Sequence, residues 1–168
     1  MLKLYYLIVE MLLWVLLLEI NSSTVKGIVF LIFIAFVPLL IIEKELREKS
    51  VVKIYFYSFL SFILWNSITS WWIINSTVFG MFFAIILYSI LMAFVFTSYS
   101  LISRKLGNKL GVIFFISSWI VFEKFNLSWE FSWPSLILGN VFSESHKLIQ
   151  WFEFTGALGG TLWVLVIN

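Results

Sequence analysis

The chain has 168 residues, 62% of them hydrophobic and only 12% charged, with a formal net charge of +2. A soluble domain carries about 25% charged residues, so this chain has too few polar groups to cover a water-facing surface and requires lipid as its solvent. The small charge and the lack of a basic polar segment exclude a nucleic-acid partner, and the absence of cysteine excludes disulfides, thiolate metal sites and a thiol nucleophile within this sequence.

A crossing helix needs about 20 apolar residues, because each adds about 1.5 Å across about 30 Å of hydrocarbon. The first candidate is 4–20, interrupted by Glu10 and Glu19. It lacks a small-residue cleavage site and so reads as a retained helix rather than a signal peptide. The second is 27–42, with Pro38 near its end. Segments 54–74 and 78–102 carry no charge and are the clearest spans. A fifth covers 110–125 and includes Glu123 and Lys124. The stretch 126–154 is aromatic, mixed in polarity and broken by Pro134 and Gly139; it reads as an outer segment that lies at the interface or dips into it. A sixth helix occupies 155–168 and ends after about 21 Å, short of a crossing. The expected architecture is an all-α, polytopic membrane bundle with about five complete spans and an incomplete sixth.

Loop charges orient the bundle. Lys3, Lys44, Arg47, Lys49, Lys53, Arg104, Lys105 and Lys109 fall on one side, and Lys26, Lys124 and Lys147 on the other. The positive-inside rule therefore puts the N-terminus in the cytoplasm and the outer segment on the opposite face. Asn21, Asn75 and Asn126 begin glycosylation-type triplets on that outer side, where they read as ordinary loop residues.

Few residues carry recognisable chemistry. Ser58, Ser61, Trp65, Thr69 and Trp72 recur at steps of three and four and share one helix face, flanked by Asn66 and Ser70. Such a face serves helix packing or the polar wall of a cavity for a lipid headgroup. Gly156 and Gly160 form a small-xxx-small pair suited to close helix packing. Glu123, in an apolar run, suits a structural hydrogen bond or substrate binding. His146 is the only histidine and there is no aspartate, so neither a metal site nor a Ser-His-Asp set is expected. No cofactor motif is present.

The segments Phe131-Ser-Trp-Pro-Ser-Leu-Ile-Leu-Gly139 and Ile149-Gln-Trp-Phe-Glu-Phe-Thr-Gly-Ala-Leu-Gly-Gly-Thr-Leu-Trp163 resemble the membrane domain of apolipoprotein N-acyltransferases, most closely the Bacteroidetes branch. Phe36-Val-Pro-Leu-Leu40, Trp65-Asn-Ser-Ile-Thr-Ser-Trp-Trp72 and Trp119-Ile-Val-Phe-Glu123 resemble further motifs of that family, in the same order. The likeness runs from about Phe33 to the end, with Trp133-Pro134-Ser135 standing where the family usually has Phe-Pro-Trp.

The resemblance implies a bacterial inner-membrane enzyme that moves an acyl chain from a phospholipid to the α-amino group of a lipoprotein's N-terminal diacylglyceryl-cysteine. The partners it implies are membrane lipids, the phospholipid donor and the lipoprotein acceptor. It also implies a separate nitrilase-like domain with a Glu-Lys-Cys triad, absent from this cysteine-free sequence; the chain alone is then expected to be inert. On this reading Trp71, Trp72 and Trp133 line the outer-leaflet opening for lipid, and Pro134 and Gly139 shape the non-helical segment. Glu123 and Glu153 orient that segment or bind the acceptor's amine. The competing reading is a non-enzymatic membrane protein, a transporter or assembly subunit; transporters tend to show repeated halves, and no internal repeat is visible.

Overall fold

Among the described residues, serine and threonine caps, Pro38 and two glycines at positive φ punctuate successive helices. The computed structural model describes residues 28–130, 132, 136–143 and 149–168, without the side chains of Ile28, Val29 and Trp72. The expected first span, with Glu10 and Glu19, lies outside the described residues, as do Trp133, Pro134, His146 and Lys147. Among the described residues every regular element is helical. They are a 3-10 helix η1 (Ile28–Ile34), α1 (Val37–Leu46), α2 (Val51–Ser70), a 3-10 helix η2 (Trp71–Asn75), α3 (Val78–Leu106), α4 (Asn108–Ser128), a 3-10 helix η3 (Leu138–Phe142) and α5 (Phe152–Ile167).

The boundaries have local causes. Ser50 accepts a hydrogen bond from the Lys53 N–H at 3.3 Å and starts α2, and Thr77 does the same for Gly80 at the start of α3. These side chains satisfy donors that a helix N-terminus leaves open. Between α3 and α4 the backbone passes through Gly107 at φ 88°, which a side chain would strain.

Among the described residues three helices are long and apolar enough to cross a membrane: α2, α3 and α4, with 20, 29 and 21 residues. Only 33%, 39% and 33% of their most apolar stretches are buried within the protein. Most of their apolar surface therefore faces outward, as with Phe56, Phe79, Phe94 and Val121, and lipid must solvate it. α3 rises about 43 Å, more than the hydrocarbon thickness, so its ends reach the headgroup layers.

The other expected spans take different forms. Segment 27–42 is divided into η1 and α1, and Pro38 stands at the start of α1 rather than near the end of a span. Proline lacks an N–H and has a helical φ, so it fits the first turn of a helix and breaks an interior. α1 then runs past Ile42 to Leu46 and carries Glu43 into the interior. α5 is bent at Gly156, where φ is 65° and ψ is −173°, a conformation essentially confined to glycine.

The core is aromatic. Trp119 of α4, fully buried, is surrounded by Phe36 at 5.2 Å, Phe62 at 5.7 Å and Phe115 at 5.5 Å between ring centroids, with the two nearer rings edge-on to it. Edge-to-face contacts add to the burial these large rings contribute. Three sequence-distant elements thus meet at one indole.

Candidate functional site

The site grows from that indole. Trp119 and Glu123 are four residues apart on α4 and so lie on one face. The buried indole needs an acceptor, and its Nε1 donates to Glu123 Oε1 at 3.1 Å. The same oxygen accepts the backbone N–H of Leu138 at 3.0 Å, and Oε2 accepts the Thr161 hydroxyl at 2.5 Å. The Thr161 oxygen in turn accepts the N–H of Gly139 at 3.1 Å. Glu123 is 2% exposed, and its oxygens point at α4, η3 and α5 rather than at an open surface. Among the described residues no cation lies within ion-pair distance of it.

Packing seats the segment 136–143 on this carboxylate. Leu136, Ile137, Leu138 and Phe142 are all buried, so this part of 126–154 dips into the protein. Gly139 is required by space: a Cβ there would fall on the Ala157 carbonyl of α5. A Cβ on Gly160 would stand 2.9 Å from the Gly139 Cα. The close approach is therefore Gly139 to Gly160. Gly156, expected to form a packing pair with Gly160, instead marks the bend in α5, is exposed, and has open space where a Cβ would go. Its positive φ removes it from the helical register on which the pairing depended. Phe142 stacks on Trp163 at 5.1 Å, and Phe33 meets the same indole edge-on at 4.9 Å.

At the other end of α5, Asn168 holds the break between η1 and α1. Its Oδ1 accepts the Phe36 N–H at 3.0 Å, and its Nδ2 donates to the carbonyls of Ile32 at 2.8 Å and Val164 at 3.1 Å.

The polar face of α2 packs against α3. Ser58 and Thr69 donate back to carbonyls of their own helix, and Asn66 Nδ2 donates to Ser89 Oγ of α3 at 2.9 Å. Ser58, Ser61, Trp65, Asn66 and Ser70 are all buried, so this part of the face serves helix packing. Trp71, one step further, is 63% exposed beside exposed Ile74, Val78 and Phe79. Trp72 shares η2 with it. Glu153 is exposed in the first turn of α5, away from Glu123's network of partners.

A second polar cluster sits where α1, α3 and α4 meet. Glu43, 1% exposed, receives the Arg47 guanidinium in a bidentate pair at 2.7 and 2.8 Å and the Ser100 hydroxyl at 2.5 Å. Arg47 also donates to Tyr99 Oη and to Asn108 Oδ1. Its hydrogen bond to Glu43 raises the Arg47 guanidinium above its ordinary range.

Reading the sequence for function missed Thr161, Asn168, the partnership of Trp119 with Glu123, and the Glu43–Arg47 pair. The i,i+4 spacings of Trp119 with Glu123 and of Glu43 with Arg47 were available signals. For Thr161 the signal was a hydroxyl in an apolar helix, which is too common to single out.

Helices with lipid-facing exteriors, an aromatic core and buried polar pins define a membrane-embedded helical bundle. The sequence model of the apolipoprotein N-acyltransferase N-terminal domain matches residues 6–168, and the chain belongs to that family. Comparison with curated proteins returned no match, and neither did comparison with solved structures.

Proposed function

We propose that this chain is the lipid-admitting membrane portion of an enzyme that transfers an acyl chain from a phospholipid to the α-amino group of a lipoprotein's N-terminal diacylglyceryl-cysteine. The observation that carries this reading is the family match over 6–168. Lacking cysteine, the chain supplies no thiol for a thioester and is inert by itself; the nucleophile belongs to a nitrilase-like catalytic domain. The protein sits in the bacterial inner membrane with its N-terminus in the cytoplasm, an orientation supported by the distribution of loop charges.

Trp71, Trp72 and Trp133 form the outer-leaflet opening, where an indole suits an acyl chain on one side and a headgroup on the other. The exposed apolar surface around Trp71 supports this role. Pro134 and Gly139 shape the outer segment, and Glu123 orients it through the Leu138 N–H and Thr161. Glu153 is exposed and available to the acceptor's ammonium group. Gly160 lets α5 approach the outer segment, and Gly156 bends α5.

The test replaces Trp133 and Glu123 separately by Ala in an enzyme that carries this domain and follows lipoprotein N-acylation. Each change is expected to lower kcat/KM by about tenfold or more, equivalent to ~1.4 kcal/mol in the barrier. Wild-type activity in both variants defeats the site assignment.

A further inference from the structure

Thr161 lies on α5 and Asn168, seven residues further, caps its C-terminus, with Val164 and Leu165 buried between them at 0% and 5% exposure. Steps of three, four and seven put all four on one helix face, and that face is turned into the protein. Its apolar centre packs; its two polar ends hold η3 and the junction between η1 and α1. Thr161 accepts the Gly139 N–H of the outer segment and donates to Glu123. Asn168 accepts the Phe36 N–H and donates to the Ile32 carbonyl, bridging the break between η1 and α1.

We propose that Thr161 and Asn168 form a two-point clamp through which one helix sets the position of both η3 and the junction between η1 and α1. They are positioning residues, not catalytic ones. Each side chain uses its donor and its acceptor at once, so the clamp fixes orientation as well as proximity. A valine or leucine at either position preserves packing but withdraws bonds from backbone groups, which are costly to leave unpaired in an apolar surrounding. The two held segments include Phe36 and Gly139, which lie in the stretches that resemble the acyltransferase family. The clamp therefore governs how the outer segment meets lipid, and this functional part rests on the proposed acyl transfer.

Hydrogen exchange on the chain in detergent micelles tests the clamp without any activity. Peptides covering 136–143 and 30–40 report the two breaks, and a peptide within α3 reports the bundle. Thr161→Val is expected to speed exchange in 136–143 by about tenfold, the upper range for losing one hydrogen bond. It leaves 30–40 and α3 within about twofold, as expected of a local opening. Asn168→Leu is expected to do the reverse, and Thr161→Ser, which keeps the hydroxyl, to exchange like wild type. If Asn168→Leu does not fold, the Thr161 pair decides the matter alone. Equal acceleration of all three peptides, or of none, overturns the clamp.

In the enzyme, Thr161→Val is expected to raise KM for the phospholipid donor while leaving kcat within about twofold, because the domain binds substrate and does no chemistry. Thr161→Ser restores KM. Local exchange without a KM change overturns the positioning role. Wild-type enzyme without N-acylation activity defeats the proposed function, while the exchange pattern still judges the clamp.

Discussion

Glu123 shows how much one residue's surroundings determine. A carboxylate in an apolar stretch reads as a possible ligand for an amine, yet three donors from three elements use its oxygens. Replacing it by Ala orphans all three, and an unsatisfied buried donor costs about 1–3 kcal/mol. Thermal unfolding in detergent is expected to show a clearly lower midpoint for Glu123→Ala, with Glu123→Gln less affected because its amide carbonyl still accepts. A Gln variant as unstable as the Ala variant contradicts this account. The glycines offer a second comparison. Gly156→Ala is disfavoured by its backbone at φ 65° alone, about 1–3 kcal/mol. Gly139→Ala drives a methyl into the Ala157 carbonyl, and the backbone must move. The same melts are expected to rank Gly139→Ala as the more damaging, and the opposite order refutes the packing assigned to Gly139.

At the scale of elements, α1 illustrates a charge carried into a helix interior. Its length past Ile42 depends on Arg47, one turn beyond Glu43, folding back onto the carboxylate with Ser100 assisting. Removing one partner of a buried pair costs about 3–5 kcal/mol because it strands the other charge, whereas replacing both by apolar groups is often neutral. Arg47→Met is therefore expected to destabilise the bundle more than the double variant Glu43→Leu, Arg47→Met, as read by unfolding midpoints. A double variant worse than the single one overturns this. The sign of the pH effect follows from Arg47's raised value. A group raised on folding contributes stability below its unfolded pKa and loses it only as pH climbs through the folded one, and for arginine both lie far into the alkaline range. Arg47 therefore adds no pH step to unfolding between about pH 6 and 10.

At the scale of the molecule, the bundle is apolar both outside and in, with its polar contacts reserved for places where helices meet or break. The chain is expected to resist extraction from vesicles by alkaline carbonate, and release into the supernatant refutes the membrane assignment. The orientation has its own test. A phosphatase reporter fused after Ser50 is expected to be inactive and one fused after Asn75 active, and the reverse pattern turns the domain upside down.

How much of this was legible in the residues differs by feature. Composition and the charge-free runs 54–74 and 78–102 were sufficient for a helical membrane protein, because lipid solvation and backbone hydrogen bonding act on any sequence this apolar. α2, α3 and α4 lie close to the expected spans because length and hydrophobicity are local properties. The division of 27–42 and the bend at Gly156 were not legible, since an apolar run shows the same composition whether it is straight or broken. Of the site, Glu123 and Gly139 were visible as a charge and a glycine out of place, but their partners were not. Thr161 is 38 positions from Glu123 and Asn168 is 132 from Phe36. Only the packing of α5 against α4, η3 and η1 brings those groups within bonding distance, and a hydrogen bond acts over about 3 Å whatever the separation along the chain.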